Sequence, residues 1–156
     1  MKTKHLILAF LMSFATIAAI AQDEVKSEKF YFSKTVEGNV EEVMPKVKSV
    51  LKEQGFSVVT EIEMAKTLRE KIDGVDMKPY RILGACNAKY AWETIQKEEN
   101  IGVFLPCKVI LKEQDNNMTE VVAVNPSKLM EMLGNEELNS IADEVSIKFK
   151  DALKNL

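Results

Sequence analysis

Two cysteines, Cys86 and Cys107, have the widest chemical reach of any residues in this chain. Cys86 stands just before a segment patterned as a helix, and the partial positive charge of a helix N-terminus can stabilise a thiolate. Cys107 alternates with Val103, Leu105, Val109 and Leu111 along one side of a strand-like run, where a thiol behaves as a small hydrophobe. The first therefore reads as capable of chemistry and the second as structural. There is no CxxC spacing, and two thiols alone make a poor tetrahedral metal site. Three readings stay open: separate buried thiols, a structural disulfide, or a functional dithiol or ligand site. Asn87 next to Cys86 is either a ligand contact or a helix cap, and the cap accounts for both its type and its position. Tyr80, with Tyr90 and Trp92, could stack on a ligand, although aromatics at this spacing more often form core or rim. With Arg81, the candidates for ligand binding or redox work are Cys86, Asn87, Cys107, Tyr80 and Arg81. None is assigned a catalytic role, and neither a metal nor a cofactor is assigned.

Absences narrow the chemistry further. The chain has 156 residues and one histidine, His5. That histidine falls in an N-terminal stretch with a basic start (Lys2, Lys4), an apolar run from Leu6 to Ile20 and a small-residue exit at Ala19-Ile20-Ala21. This is the pattern of a secretory signal peptide over residues 1–21, leaving a single domain over 22–156. Such a domain has no histidine base, no Ser-His or Cys-His dyad and no histidine metal ligand. Loss of Lys2 and Lys4 leaves 19 basic residues against 24 acidic ones, a charge of −5. No basic stripe offsets it, so phosphate neutralisation has no surface to work from and nucleic acid is excluded as a partner. After cleavage the domain has no membrane segment of its own, and the expected location is periplasmic or secreted, where disulfides are permitted.

The elements that would position these residues follow from periodicity. Phe30 to Val36 alternates as a strand. Asn39 and Glu42 form a capping box for a helix with Val40, Val43, Val47, Val50 and Leu51 on its apolar face, ended by Gly55. Phe56–Ile62 is a strand, and Met64, Leu68 and Ile72 stripe a short helix. Tyr80–Ala85 is a strand leading into a helix capped by Asn87, with Ala88, Ala91, Trp92 and Ile95 as its expected buried stripe. A strand is expected from Val103 to Leu111, followed by a turn at Asp115-Asn116-Asn117 and a return strand from Thr119 to Val124. Asn125-Pro126 opens a helix that stops at Gly134. Asn135 caps the last helix, whose stripe is Leu138, Ile141, Ala142, Val145, Phe149 and Leu153. Mixed order with a late hairpin favours α+β over a doubly wound sheet.

Two stretches carry a family resemblance: Pro79-Tyr80-Arg81-Ile82-Leu83-Gly84-Ala85-Cys86-Asn87 and Gly102-Val103-Phe104-Leu105-Pro106-Cys107-Lys108-Val109. With Gly55-Phe56 upstream and Val124-Asn125-Pro126 downstream, the chain from Phe30 onward resembles the bacterial domain of unknown function 302 family. Ala88 departs from the proline that members usually carry after Cys-Asn, at a helix position that alanine also suits. The resemblance implies a TATA-binding-protein-like α+β fold, a curved and largely antiparallel sheet with helices on one side, often paired as a homodimer. It names no activity, and fold alone supplies none.

The functional expectation is an exported, non-catalytic binding or interaction module for an unknown small molecule or protein. The alternative is a thiol-redox or thiol-ligand protein using Cys86 and Cys107. Because a helix separates the two cysteine-bearing strands, the right-handed crossover preference predicts parallel neighbours whose thiols stay apart and unbridged.

Overall fold

In the computed structural model, residues 24–28 and 30–156 are described. The segment read as a signal peptide, 1–21, lies outside them.

The chain order is β1 (Lys26–Ser27), β2 (Tyr31–Glu37), α1 (Val40–Glu53), β3 (Ser57–Glu63), α2 (Met64–Lys71), β4 (Tyr80–Cys86) and α3 (Ala88–Lys97). A 3-10 segment (Glu99–Phe104) leads to the β5 (Cys107–Glu113) and β6 (Met118–Val124) hairpin and α4 (Pro126–Met130). Two further 3-10 turns, Glu131–Leu133 and Glu136–Leu138, precede α5 (Asn139–Lys154). The strands form one six-stranded sheet in the order β1-β2-β6-β5-β4-β3. Every pairing is antiparallel, so the α+β expectation holds.

Local chemistry explains the well-defined ends. Asn39 accepts from the amides of Glu41 and Glu42, while the Glu42 carboxylate accepts from the Asn39 amide, closing the capping box. Gly55, at φ +84°, supplies the left-handed residue that turns the chain from α1 into β3. Asn116 and Asn117 both have positive φ, as a tight β5–β6 hairpin requires, and asparagine tolerates that region better than most residues.

The core lies between one face of the sheet and α1 and α5. Leu83, Val109, Leu111 and Val121 project from the strands, Val40, Val47 and Leu51 from α1, and Val145 and Phe149 from α5. Phe149 is fully buried and stacks on Phe56, ring centroids 4.7 Å apart. Strand alternation sends Ile62, Ile82, Ile110 and Val122 to the opposite face, where the pairings line them up in one row across four strands.

Four sequence expectations need correction. Cys107, Val109 and Leu111 do share the inward face, but the strand starts only at Cys107. The residues before it coil into the 3-10 segment, which leaves Val103 80% exposed. That coil also explains the strand direction. The helix α3 packs on the 3-10 segment and on α5, and does not run back along the sheet as a crossover would. The chain therefore turns at the sheet's end, and β4 and β5 are antiparallel neighbours, not parallel ones. The expected buried stripe of α3 is absent: Trp92 is 63% exposed and no α3 residue is fully buried. In α2 only Ala65 is buried, with Ile72 beyond its end and exposed. Both helices lie at the periphery, where an amphipathic pattern has little core to face.

Candidate functional site

The site grows out of the turn between β4 and β5. Antiparallel pairing sets Ala85 directly opposite Cys107, so the C-terminal end of β4 meets the N-terminal end of β5. Cys86 and Cys107 are thereby brought to the same corner of the sheet, and both are free thiols. Gly84 makes this close approach achievable. A Cβ there would fall 2.5 Å from the Pro106 ring and nearer still to the Thr60 hydroxyl, so Pro106 and Thr60 press onto bare backbone.

Asn87 fixes the corner. Its side-chain oxygen accepts from the amides of Lys89 and Tyr90, and its amide nitrogen donates to the Gly55 carbonyl at 2.9 Å. One side chain thus starts α3 and ties it to the turn at the end of α1. The capping interpretation accounts for both ends of Asn87, which leaves it engaged within the fold.

Over this corner α3, the 3-10 segment, α4 and α5 enclose a cavity of about 280 Å³. Ala85, Cys86 and Cys107 form its sheet end, Ala91 and Thr94 its α3 wall, and Leu129, Ile141 and Val145 part of its α4 and α5 walls. The cavity lies between two apolar clusters. One is the main core, and the other is a smaller group of Ile101, Met130, Leu138 and Ala142. Few polar atoms in the wall are unengaged. The Thr94 hydroxyl donates to the backbone carbonyls of Tyr90 and Ala91, and the Tyr90 hydroxyl donates to Glu144 at 3.0 Å. Burial and that carboxylate push the Tyr90 phenol up from its ordinary value. Lys108 borders the cavity through its place on β5, but alternation with Cys107 and Val109 directs its side chain to the opposite sheet face, where its ammonium folds back onto the Pro106 carbonyl.

The two thiols lie closer in the fold than the sequence suggested. Burial pushes the Cys107 thiol from 9.0 up to about 11, with the neighbouring Cys86 adding to the rise and the Lys108 ammonium opposing it. Cys107 is therefore a protonated, weakly nucleophilic thiol at neutral pH.

Of the five candidates, Cys86, Asn87 and Cys107 line the cavity. Tyr80 and Arg81 belong to the other end of β4, about 20 Å away at the rise of an extended strand. Arg81 instead clamps three elements, with Glu41 of α1 at 2.5 Å and Glu63 of β3 at 3.4 Å. Elsewhere on the surface, Glu61 pairs with Lys48 and Glu70 with Lys66. Met130 is buried beside the cavity, whereas Met132 is exposed, as opposite sides of a helix demand. Sequence reasoning missed Leu129 and the 3-10 wall. The Leu105-Pro106 pair after Gly102 was the available signal that no strand runs through residues 99–104.

A comparison with curated proteins returns no match. Among solved structures, the chain is similar to an uncharacterized conserved protein DUF302 from Bacillus stearothermophilus. The two superpose with a TM-score of 0.73 at 28% identity, covering 81% of this chain and 97% of the other. The family described as Domain of unknown function DUF302 matches residues 32–156, the whole span from β2 to the C-terminus, and the chain belongs to it.

Proposed function

We propose that this domain is an exported, non-catalytic binding module that holds a small apolar molecule in the cavity between α3, α4, α5 and the end of the sheet. The observation that carries the reading is the cavity itself. Its walls are apolar, and its polar side chains are engaged with the protein, the usual composition of a site selecting by shape. A sequence whose one histidine is His5 adds support to the non-catalytic part. A methyl-resolved NMR titration with 1-decanol tests it. Shifts concentrated at Ile101, Leu105, Leu129, Ile141 and Val145 are expected, and an unchanged spectrum at these residues rejects the reading.

Export rests on the signal-peptide pattern of residues 1–21. The intact mass of protein recovered outside the cytoplasm should correspond to a chain beginning at Gln22. Retention of residues 1–21 would mean an anchored protein instead. The reading includes a curved, TATA-binding-protein-like sheet, for which the all-antiparallel order is the support. It also includes a homodimer. The row Ile62, Ile82, Ile110 and Val122 on the helix-free sheet face offers it an apolar surface, and light scattering on the purified protein decides its mass.

A thiol-redox role is the second reading, favoured by the convergence of Cys86 and Cys107 at one corner. The protonated state of Cys107 weighs against it as an attacking group. A free-thiol count on protein isolated without reductant separates the readings: two thiols support the binding module, and none supports a redox pair.

A further inference from the structure

We propose that the ligand of this cavity carries an uncharged aromatic ring, which packs against the sulfur atoms of Met130 and Cys107. The inference rests on the binding reading and adds the chemical class of the ligand.

Size comes first. An apolar cavity of about 150 Å³ accommodates benzene, a ligand of six heavy atoms. The present cavity, at about 280 Å³, is nearly twice that. By proportion it accepts a ligand of roughly eleven heavy atoms, enough for one ring and a short substituent.

Charge and polarity then narrow the ligand. Among the described residues, Lys108 is the one charged residue that borders the cavity, and its side chain leaves by the other sheet face. An ionised ligand group would therefore be buried without a partner, at a cost that a neutral molecule avoids. Asn87, Thr94 and Tyr90 are each held by hydrogen-bond partners within the protein. A ligand with hydroxyl or amide groups along its length would leave them unpaired inside the cavity.

Sulfur and rings distinguish this wall from a purely aliphatic one. Cys107 reaches it from the sheet, on the inward face shared with Val109 and Leu111. Met130 reaches it from α4 and is only 7% exposed. Cys107 keeps its proton at neutral pH, so it offers a neutral thiol to the cavity. Phe56, Tyr90 and Phe104 add aromatic residues from three further segments. Sulfur is polarisable and gains energy against the edge of an aromatic ring, and rings prefer edge-to-face or offset contact with one another. A saturated ligand of the same size draws on neither interaction. The wall therefore selects an aromatic ring over its saturated counterpart.

Calorimetric titration of the purified protein at pH 7.5 with 4-phenylbutan-1-ol and 4-cyclohexylbutan-1-ol tests the assignment, because the two differ only in whether the ring is aromatic. The saturated ring is the more water-averse, so a pocket choosing by apolar area alone prefers the cyclohexyl compound. The wild-type protein should instead bind the phenyl compound more tightly, by about threefold. In Met130→Leu, which keeps the side-chain volume, the preference should pass to the cyclohexyl compound, with thermal melts confirming that the variant folds. A wild-type preference for the cyclohexyl compound, or a phenyl preference unchanged in Met130→Leu, overturns the aromatic assignment while leaving the apolar-pocket reading in place. Failure of both probes to bind overturns both.

Discussion

Two regions of this domain solve the packing problem differently. Between the sheet and α1 and α5, long regular elements interlock around Phe149, Leu111 and Leu83, none of which reaches solvent. Around the cavity the chain uses a short helix and three 3-10 segments, and only Ile101, Met130, Leu138 and Ala142 form a buried group. Regular elements bring complementary faces into contact over several turns, which fills space; brief irregular segments cannot match faces over any length, and leave it open. Stability and a binding cavity thus come from the same chain by a difference in regularity, with the sheet end as their common wall.

That contrast predicts unequal responses to mutation. The largest belongs to the filled region. Phe149→Ala removes a stacked, fully buried ring and should lower unfolding free energy by about 3–5 kcal/mol in denaturant melts. A loss under about 1 kcal/mol would mean that this region is far looser than described.

Next is the boundary, where Cys107 sits. Its raised pKa means that folding favours the protonated thiol. The contribution is fully present below pH 9, the unfolded value, and disappears as pH rises through about 11, the folded one. Two pH units correspond to about 3 kcal/mol at most. Stability measured from pH 8 to pH 11 should therefore fall more steeply in the wild type than in Cys107→Ala, and parallel curves would contradict the desolvated thiol. The same ionisation leaves about one thiol in a thousand as thiolate at pH 8. Iodoacetamide followed by mass mapping should accordingly modify Cys107 more slowly than Cys86.

The open region should tolerate what the filled one does not. Ala91→Phe directs a ring from α3 into the cavity. It is expected to weaken 1-decanol binding at least tenfold while changing stability by less than about 1.5 kcal/mol, because the ring has space to occupy. A collapse in stability would show that the cavity is narrower than its walls suggest. The smallest effect concerns the joint between the regions: Asn87→Ala should cost about 1 kcal/mol by chemical denaturation, the ordinary value of a lost helix cap.

The filled region was the more legible in sequence, for the same physical reason. The stripes of α1 and α5 repeat over three turns or more, and every residue assigned to them is buried, from Val40 to Leu51 and from Leu138 to Leu153. Asn39, Gly55 and the Asn116-Asn117 turn announce themselves by residue type alone. In the open region the signals are short and conflict. Val103 to Leu111 alternates well enough to suggest one strand, yet its first two residues end a 3-10 segment packed on α3 and the strand begins only at Cys107. From that single misreading came the parallel orientation, and with it the separation of the two thiols. Of the site, Cys86, Asn87 and Cys107 could be picked out as residues, but their shared cavity depends on α4 and α5, which lie up to 60 residues further along the chain.

The contact of Pro106 and Thr60 on Gly84 has a consequence for how this scaffold can diverge. Position 84 cannot gain even a methyl group while both neighbours remain, and shortening Pro106 alone would open a gap over bare backbone at the corner that carries both thiols. The three positions are therefore one unit of inheritance spread over three strands and their edges. Related chains should carry either all three residues in this form or a coordinated replacement, a larger residue at 84 accompanied by smaller ones at 60 and 106. Libraries that vary these sites one at a time will find mostly dead ends, whereas joint randomisation should recover folded alternatives with a reshaped sheet corner.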